Sequence, residues 1–381
     1  MPLNEYGDAL SVCNKCRCGY CNNECPIFQQ YKFESMSPRG KNFLASAILR
    51  KELGQSNHLA ESLYRCTLCG SCKVACPPQV DTPSIVKALR SDLVENGLVP
   101  KAIHDVLTNT LRYGNPWGEN PAKRSRWGQE LHVKSFNDCA PSSILYFVGC
   151  TSAYDTRAQE IAKSMVRVFN KAEVDFGTLG NEEKCCGSPI LEIGEKGLYE
   201  KIATENIESF RKHRVNNIVT TSPHCYDAFT NDYPELSENP GVQHYTQFVA
   251  ELIDQGKIKM SRSLRKKVVY HDPCVLGRRN SIYEAPRKIL ESIPGITLLE
   301  MDKTKENSYC CGGGGGMMWT RELFGERPST NRAKQARDLE PDIVATSCPF
   351  CLINLEDGMK VIGMDDRIQV KDILELVSEA L

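Results

Sequence analysis

The sequence predicts a multidomain α+β protein in which an N-terminal α-helical domain precedes two repeated α/β domains with parallel sheets. Three observations lead to this prediction. Apolar residues follow a helical period through the first hundred residues, short β-rich runs alternate with helical stretches later on, and one cysteine pattern occurs twice there at an offset of 124 to 126 residues. We expect domains at residues 1–111, 143–262 and 263–381, with a linker at 112–142.

The helical domain is predicted from apolar residues that recur three or four positions apart, which is the spacing of one helix face. The residues that carry this spacing are Phe43, Leu44, Ala47, Ile48, Leu59, Leu63, Ile85, Leu89 and Leu93. Two cysteine runs lie in the segments between these helical stretches. We therefore expect the helices to form the scaffold and the loops to carry the cysteines.

The second cysteine run is regular and ends in a Cys-Pro pair. Its members are Cys66, Cys69, Cys72 and Cys76. This spacing is that of bacterial ferredoxins, in which the fourth cysteine ligates the other of two clusters. A zinc knuckle does not explain the terminal Cys-Pro pair.

The first run is irregular, because Lys15 stands where the first ligand is expected. Its members are Cys13, Cys16, Cys18, Cys21 and Cys25. Exchange of the fourth cysteine predicts two [4Fe–4S] cubanes. One is held by Cys18, Cys21, Cys76 and either Cys13 or Cys16, and the other by Cys25, Cys66, Cys69 and Cys72.

The predicted linker is dense in glycine and proline, which is typical of a segment without regular structure. Trp117 and Trp127 indicate that it packs against the domains. We expect Arg124 and Arg126 to be solvated, as most surface arginines are.

Each repeat contains β-rich runs that end at cysteines, with helical stretches between them. The runs are residues 144–148, 217–221, 267–271 and 342–346. Strands that alternate with helices form parallel sheets, and ligands of such sheets sit beyond the carboxyl ends of the strands. The cysteines fall at those ends.

The second repeat has five cysteines, which is one more than a closed zinc site uses. They are Cys274, Cys310, Cys311, Cys348 and Cys351. We interpret them as an iron–sulfur site. Gly312, Gly313 and Gly314 follow two of the ligands, and we expect their backbone to approach the cluster and to offer N–H groups to its sulfurs.

The first repeat keeps four of these thiols and has Ser222 at the position that corresponds to Cys348. The four are Cys150, Cys185, Cys186 and Cys225. A serine oxygen is a poor ligand beside thiolates. Three interpretations stay open, namely a site that binds nothing, a zinc site, or a further cluster.

Three charged residues near Cys274 are candidates for other roles. His271 is our candidate catalytic residue, because a histidine there could protonate a leaving thiolate. Arg278 and Arg279 could hold an anion, but we expect them to be solvated at the surface.

Composition excludes several classes of protein. The chain of 381 residues has 47 basic and 48 acidic residues, a balance that gives no support for nucleic-acid binding. It has no apolar run of transmembrane length and no signal peptide, and its cysteines have metal-ligand spacings, so a secreted disulfide scaffold is disfavoured. We expect a cytoplasmic protein, or one that is peripheral on the cytoplasmic membrane through a partner.

The doubled cysteine pattern resembles the cysteine-rich (CCG) domain. Together with the ferredoxin runs, it resembles the D subunit of heterodisulfide reductase and the iron–sulfur subunits of glycolate and D-lactate oxidases. The stretches that carry the resemblance are residues 18–21, 37–41, 271–274, 310–315 and 348–351.

The resemblance implies a noncubane [4Fe–4S] cluster on the five cysteines of the second repeat, where a disulfide would be reduced. The alternative it implies is an electron-relay subunit of a flavin-dependent oxidase or of a complex linked to electron-transfer flavoprotein. No Gly-x-Gly-x-x-Gly motif follows a strand, so we expect a redox partner subunit, either a flavoprotein or a membrane haem b subunit.

Overall fold

A computed structural model describes residues 3–140, 143–233, 240–320 and 327–381. Within residues 3–113 the structure is helical and contains no strand. The helices are α1 (Gly7–Cys16), α2 (Tyr20–Glu24), α3 (Pro26–Tyr31), α4 (Pro38–Leu49), α5 (Asn57–Tyr64), α6 (Ser71–Val74), α7 (Thr82–Glu95) and α8 (Lys101–Tyr113). The predicted helical domain is confirmed.

Local sequence sets where these helices begin. The Ser37 side chain accepts a hydrogen bond from the backbone N–H of Gly40, and Pro38 occupies the first helical position of α4. Asp81 caps α7 in the same way through the N–H of Ser84. Such caps satisfy backbone donors that a helix start leaves unpaired. They also end the cysteine loops at fixed points.

The first repeat is a parallel α/β unit. Its strands are β1 (Ile144–Phe147), β2 (Phe176–Gly177), β3 (Asn217–Thr220) and β4 (Gly241–His244), in the sheet order β2-β1-β3-β4. Its helices are α9 (Cys150–Tyr154), α10 (Gln159–Lys171), α11 (Ser188–Glu192), α12 (Lys196–Lys212), α13 (Pro223–Asp227) and α14 (Tyr245–Asp254).

The second repeat has the same topology. Its strands are β5 (Lys266–Tyr270), β6 (Ile296–Leu299), β7 (Ile343–Thr346) and β8 (Gln369–Asp372), in the order β6-β5-β7-β8. Its helices are α15 (Glu284–Glu291), α16 (Pro328–Arg337), α17 (Pro349–Val361) and α18 (Ile373–Ala380). Every strand pair is parallel, so the predicted duplication and the parallel sheets are confirmed.

The first-repeat sheet is covered on both faces, because successive strand residues point to opposite sides. Leu145 and Phe147 of β1 join a core that includes the helical domain, whereas Tyr146 joins a core shared with the second repeat. The first repeat therefore packs against both of the other domains.

The two repeats are tied by polar contacts, one of them fully buried, as well as by apolar packing. The Tyr245 hydroxyl donates to Asp372 at 2.7 Å, and Arg157 pairs with Glu356 at 2.9 Å and with Glu375 at 3.0 Å. These contacts fix the orientation of one sheet relative to the other.

The linker packs onto the domains, as its tryptophans predicted. Trp127 is buried with its ring 6.1 Å from that of Tyr146, and Trp117 meets Trp319 of the second repeat edge-on at 5.9 Å. None of the helices in the described ranges is both long and apolar enough to span a bilayer.

Candidate metal centres

Four cysteines from two distant runs line one internal cavity of the helical domain. They are Cys25, Cys66, Cys69 and Cys72, which we call the inner group. Cys25 comes from the first run and the others from the second, which is the exchange that the ferredoxin spacing predicts. Burial raises the pKa of Cys25 to about 12, and the nearby Cys66 and Cys69 sulfurs add to this.

The cavity of the inner group is also lined by a buried lysine. Lys41 is 2% exposed, and its ammonium group donates to the carbonyl of Met36. The thiolates of Cys25 and Cys66 act electrostatically on it. A cation beside four thiolates offsets part of the negative charge that an iron–sulfur cluster carries.

Four of the five remaining cysteines of the two runs lie together nearer the surface. We call Cys13, Cys18, Cys21 and Cys76 the outer group. Burial raises the pKa of Cys21 to about 11, with further contributions from Cys13, Cys76 and Cys18. Cys16 contacts Cys18 but is exposed, whereas Cys13 is half-buried and accepts a hydrogen bond from Asn42 at 3.3 Å.

The five cysteines of the second repeat form one continuous sulfur cluster. Cys310 contacts both Cys274 and Cys311, and Cys351 contacts both Cys311 and Cys348. The Cys311 and Cys351 sulfurs are 3.2 Å apart. The contacts with Cys310 and Cys351 lower the pKa of Cys311 well below the usual thiol value. We call these residues the second-repeat site.

The sheet brings the second-repeat site together. Cys274 and Cys348 follow the carboxyl ends of β5 and β7, which are paired neighbours. Cys310 and Cys311 come from the loop that follows β6, the neighbour of β5 on its other side. The expected location beyond the strand ends is therefore where these thiols lie.

The glycine run contacts both the ligands and another domain. The Gly312 N–H donates to the Cys310 sulfur at 3.3 Å. A Cβ on Gly313 would lie 2.6 Å from the Asn354 amide, and one on Gly314 would lie 2.5 Å from the Thr67 carbonyl oxygen. The run is thus pressed against the inner-group loop, which sequence reasoning did not foresee.

His271 is buried beside the second-repeat site. Its Nδ1 accepts a hydrogen bond from Arg332 Nε at 3.2 Å, so the ring proton resides on Nε2. One ring nitrogen and the sulfurs of Cys311 and Cys351 lie within 4.8 Å of one another, and Nε2 has no hydrogen-bond partner among the described residues. Burial lowers the pKa of His271, the adjacent Cys311 sulfur acts against that shift, and the Arg332 charge adds to it.

The first repeat also gathers its thiols. Cys150 contacts Cys185, and Cys186 contacts both Cys185 and Cys225. All four are buried, and they line one cavity together with Ser222. We call them the first-repeat site.

Arg124 was expected to be solvated, and this prediction is wrong. Its side chain is 3% exposed, pairs with Glu183 at 2.6 Å, and lies 3.5 Å from the Cys150 sulfur. Glu183 in turn accepts from the N–H groups of Val148 and Gly149. The linker therefore supplies a buried cation to the first-repeat site.

Arg278 and Arg279 are not solvated surface residues either. Arg278 donates to the Cys69 carbonyl at 2.7 Å and to the Ser308 carbonyl at 2.6 Å. Arg279 pairs with Asp227 at 2.6 Å and with Glu192 at 3.3 Å. Both arginines join domains to one another, and a local sequence pattern does not reveal such a role.

The donor sets fit iron–sulfur chemistry. All nineteen cysteines are free thiols, and all but Cys16 and Cys139 belong to one of the four groups. Sulfur-only donors select iron–sulfur clusters or zinc. The unpartnered, buried Nε2–H of His271 and the Gly312 N–H at Cys310 are suited to a sulfur-rich cluster. The four thiols of the first repeat fit zinc equally well.

Family comparisons agree with this architecture. A model of the cysteine-rich domain CCG matches residues 144–230 and again residues 268–356, and a model of a 4Fe-4S dicluster domain matches residues 9–80. The three matches correspond to the first repeat, the second repeat and the helical domain.

The chain is similar to named iron–sulfur oxidoreductases. It is 33% identical to the D subunit of dihydromethanophenazine:CoB--CoM heterodisulfide reductase of Methanosarcina barkeri, over 96% of this chain and 93% of that protein. It is 31% identical to "EtfAB:quinone oxidoreductase" of Syntrophomonas wolfei, over 100% and 60%. It is 36% identical to "Probable iron-sulfur-binding oxidoreductase FadF" of Bacillus subtilis, over 84% and 47%. The chain thus spans about half of the length of the last two relatives.

Proposed function

Because the chain belongs to the family of iron–sulfur oxidoreductase subunits that includes the D subunit of heterodisulfide reductase, we propose that it takes electrons through two [4Fe–4S] cubanes to a noncubane [4Fe–4S] cluster that reduces a disulfide. The inner and outer groups would hold the cubanes, and the second-repeat site would hold the noncubane cluster. When bound, these centres supply one-electron redox chemistry.

The observation that supports this proposal most strongly is the contact between the inner group and the second-repeat site. The Cys69 side chain meets that of Cys310, and both lie in one buried cluster with Cys274. A cluster at the second-repeat site would lie close enough to a cubane at the inner group to receive electrons from it one after another. Disulfide reduction needs such a supply, because each disulfide consumes two electrons and two protons to give two thiols.

The protein side chains would hold and shield the second-repeat site. Asp272 forms a two-point salt bridge with Arg287, at 2.8 and 2.9 Å, beside the strand end that carries Cys274. His271 would offer its Nε2–H to the sulfurs, and Gly312 its backbone N–H. Such donors stabilise negative charge on sulfur and raise the reduction potential of a cluster.

A purified, reconstituted protein tests the proposal. Reduced viologen would serve as the one-electron donor and a mixed disulfide of two thiol coenzymes as the acceptor. We expect viologen oxidation that depends on the disulfide and is lost in Cys351→Ser, while the eight irons of two cubanes, at about four each, remain. If the protein with all of its clusters oxidises viologen at a rate that does not depend on the disulfide, the catalytic role is contradicted.

The second candidate function is an electron relay without substrate chemistry. It is favoured by the 31% identity to EtfAB:quinone oxidoreductase over the whole of this chain. In that case a flavoprotein would reduce the centres and a quinone-linked or membrane haem b partner would reoxidise them, with the chain held at the cytoplasmic face of the membrane by its partner. Reduction of the centres by electron-transfer flavoprotein, together with no disulfide turnover, would favour the relay.

We also propose that the first-repeat site holds a metal. Four buried thiols with a buried guanidinium 3.5 Å from Cys150 form an environment suited to thiolates that carry a metal. Metal analysis of Cys225→Ser would identify the occupant. Loss of about one zinc indicates a zinc site, loss of about four irons indicates a cluster, and no loss indicates a site that binds neither.

A further inference from the structure

Arg90 of α7 is a fully buried cation that bonds to all three domains. Its side chain is 0% exposed. Its guanidinium donates to the carbonyls of Cys66 at 2.6 Å, Glu192 at 2.9 Å and Gly315 at 3.1 Å. Cys66 belongs to the inner group, Glu192 lies in the first repeat, and Gly315 lies in the second. A fourth bond, at 2.8 Å, goes to Leu63 of the helical domain.

The burial of Arg90 needs an explanation, because an arginine keeps its charge in proteins and is costly to bury. Leu63, Cys66 and the Tyr64 ring, 4.9 Å from the guanidinium carbon, offset part of that cost within the helical domain. The other two carbonyl partners, Glu192 and Gly315, are available only in this arrangement of domains. If the domains separated, the bonds to Glu192 and Gly315 would be lost together. Arg90 therefore favours the assembled state over any other packing.

Gly315 adds a steric requirement at the same point. Its φ of +62° lies in the left-handed region, and a Cβ there would be 2.3 Å from the Cys66 carbonyl oxygen and 3.2 Å from Arg90 Nη1. The Gly315 N–H donates to the Glu192 carboxylate at 2.9 Å. Only glycine allows the two backbones to approach this closely.

We propose that Arg90 and Gly315 form a joint that holds the inner group against the second-repeat site, and that electrons cross between the domains at the adjacent Cys69–Cys310 contact. Arg90 is a positioning residue in this scheme. The inner group would hold one centre and the second-repeat site the other. With both bound, one electron would leave the first centre and enter the second, with no bond formed or broken and no proton transferred. The inference rests on the proposed function, since it assumes a redox centre at each end.

Gly315→Ala is the direct test, and Gly256→Ala is its matched control. Gly256 has a similar φ of +68°, but a Cβ added there would have no other atom within 4 Å. Both changes impose the same backbone strain, and only the first separates the two loops. The reconstituted proteins are reduced with photoexcited deazaflavin and frozen at set times. Electron paramagnetic resonance then follows the inner cubane and the second-repeat centre without any disulfide present.

We expect Gly315→Ala to keep the iron content of the unmodified protein, to slow electron transfer between the two centres about tenfold or more, and to weaken their magnetic interaction. Electron transfer by tunnelling slows steeply with the distance between two centres, so a separation of the loops that carry them lowers the rate. Gly256→Ala should behave like the unmodified protein. Unchanged transfer and unchanged magnetic interaction in an iron-replete Gly315→Ala protein would overturn the proposal, as would equal slowing in Gly256→Ala.

Arg90→Lys provides a second route if Gly315→Ala fails to fold. Lysine keeps the charge but cannot make four directed bonds, so transfer should slow while the iron content is kept. Fast transfer in this variant would overturn the role of Arg90. Disulfide turnover is measured separately on the same samples. A protein that transfers electrons between its centres but never cleaves a disulfide contradicts the proposed catalytic function and leaves the joint intact.

Discussion

Cys69 and Cys310 lie side chain to side chain in the interior, although one belongs to a ferredoxin-type run and the other to the last repeat. Each is also in contact with a residue of the other's domain. The Cys310 thiol lies 3.7 Å from the Thr67 hydroxyl, and the Cys69 carbonyl accepts from Arg278 at 2.7 Å. This pairing places the cysteines of two domains in one buried unit.

The exchange of cysteines between the two runs predicts a crossed pattern of cluster loss. Cys25→Ser should remove the same spectroscopic signal as Cys72→Ser, because both line the inner cavity. Cys76→Ser should instead remove the signal that Cys21→Ser removes. Electron paramagnetic resonance of the four reduced variants, each expected to keep one cubane with about four irons, measures this. Loss of one signal by both Cys25→Ser and Cys21→Ser would show that each run holds its own cluster.

The surplus cysteine of the first run is predicted to be Cys16. Cys13 is half-buried and acts electrostatically on Cys21, as the other outer-group residues Cys76 and Cys18 do. Cys16→Ser should therefore keep both cubanes, and Cys13→Ser should lose about four irons. Iron analysis of the two variants, each with the same Cys-to-Ser change, decides between them. Iron loss confined to Cys16→Ser would reverse the assignment.

His271 offers a test of hydrogen bonding against proton transfer. Glutamine can place an amide N–H near the position of Nε2 but cannot act as an acid at neutral pH. Arg332 occupies Nδ1, and burial lowers the pKa of His271. We therefore expect His271→Gln to retain disulfide turnover within about tenfold of the unmodified protein. Loss of a general acid usually lowers the rate by at least about 100-fold. His271→Leu, which has no donor, is the control.

A larger loss in His271→Gln, equal to that in His271→Leu, would favour the proton-donor role that the sequence suggested. If the reduction potential of the cluster shifts in His271→Leu but not in His271→Gln, the side-chain hydrogen bond to the cluster is the contribution that His271 makes. The two roles are thus separated by potential as well as by rate.

The buried carboxyl group of Asp372 leads us to expect that the stability of the protein depends on pH. Burial raises the pKa of this carboxyl group to about 8, against about 3.9 in an unfolded chain. Between those values the folded protein keeps a proton that the unfolded chain has lost. The free energy of unfolding should therefore fall as pH rises from about 4 to 8, by up to about 1.4 kcal/mol per pH unit.

Asp372→Asn should remove that dependence. Asparagine is uncharged and can still accept at Oδ1 from the Tyr245 hydroxyl and the Leu374 N–H. Melting temperatures of the two proteins between pH 5 and 8 measure the effect. As pH rises, the melting temperature of the variant should increase relative to that of the unmodified protein. Parallel pH profiles would contradict a protonated Asp372 in the folded state.

Local spacing in the chain was sufficient to predict the helical domain and the duplicated parallel α/β units, whereas the assignment of the thiols to individual metal sites stays a prediction. These features depend on short patterns, such as the Cys66 to Cys76 run and the β-rich run before Cys150. Residues this close in sequence can adopt few arrangements, so the spacing alone indicates the local structure. The 124- to 126-residue offset between matching cysteines indicated that the second α/β unit repeats the fold of the first.

Which groups touch became apparent only once the domains were packed together. Arg90 could have been noticed as a charge within the apolar stripe of Val86, Leu89 and Leu93, but nothing in its neighbourhood names its partners in the other two domains. Arg124 likewise was expected to be solvated and is buried beside Cys150. The physical reason is that these contacts join loops far apart in sequence, so they depend on how complete domains pack and not on local spacing.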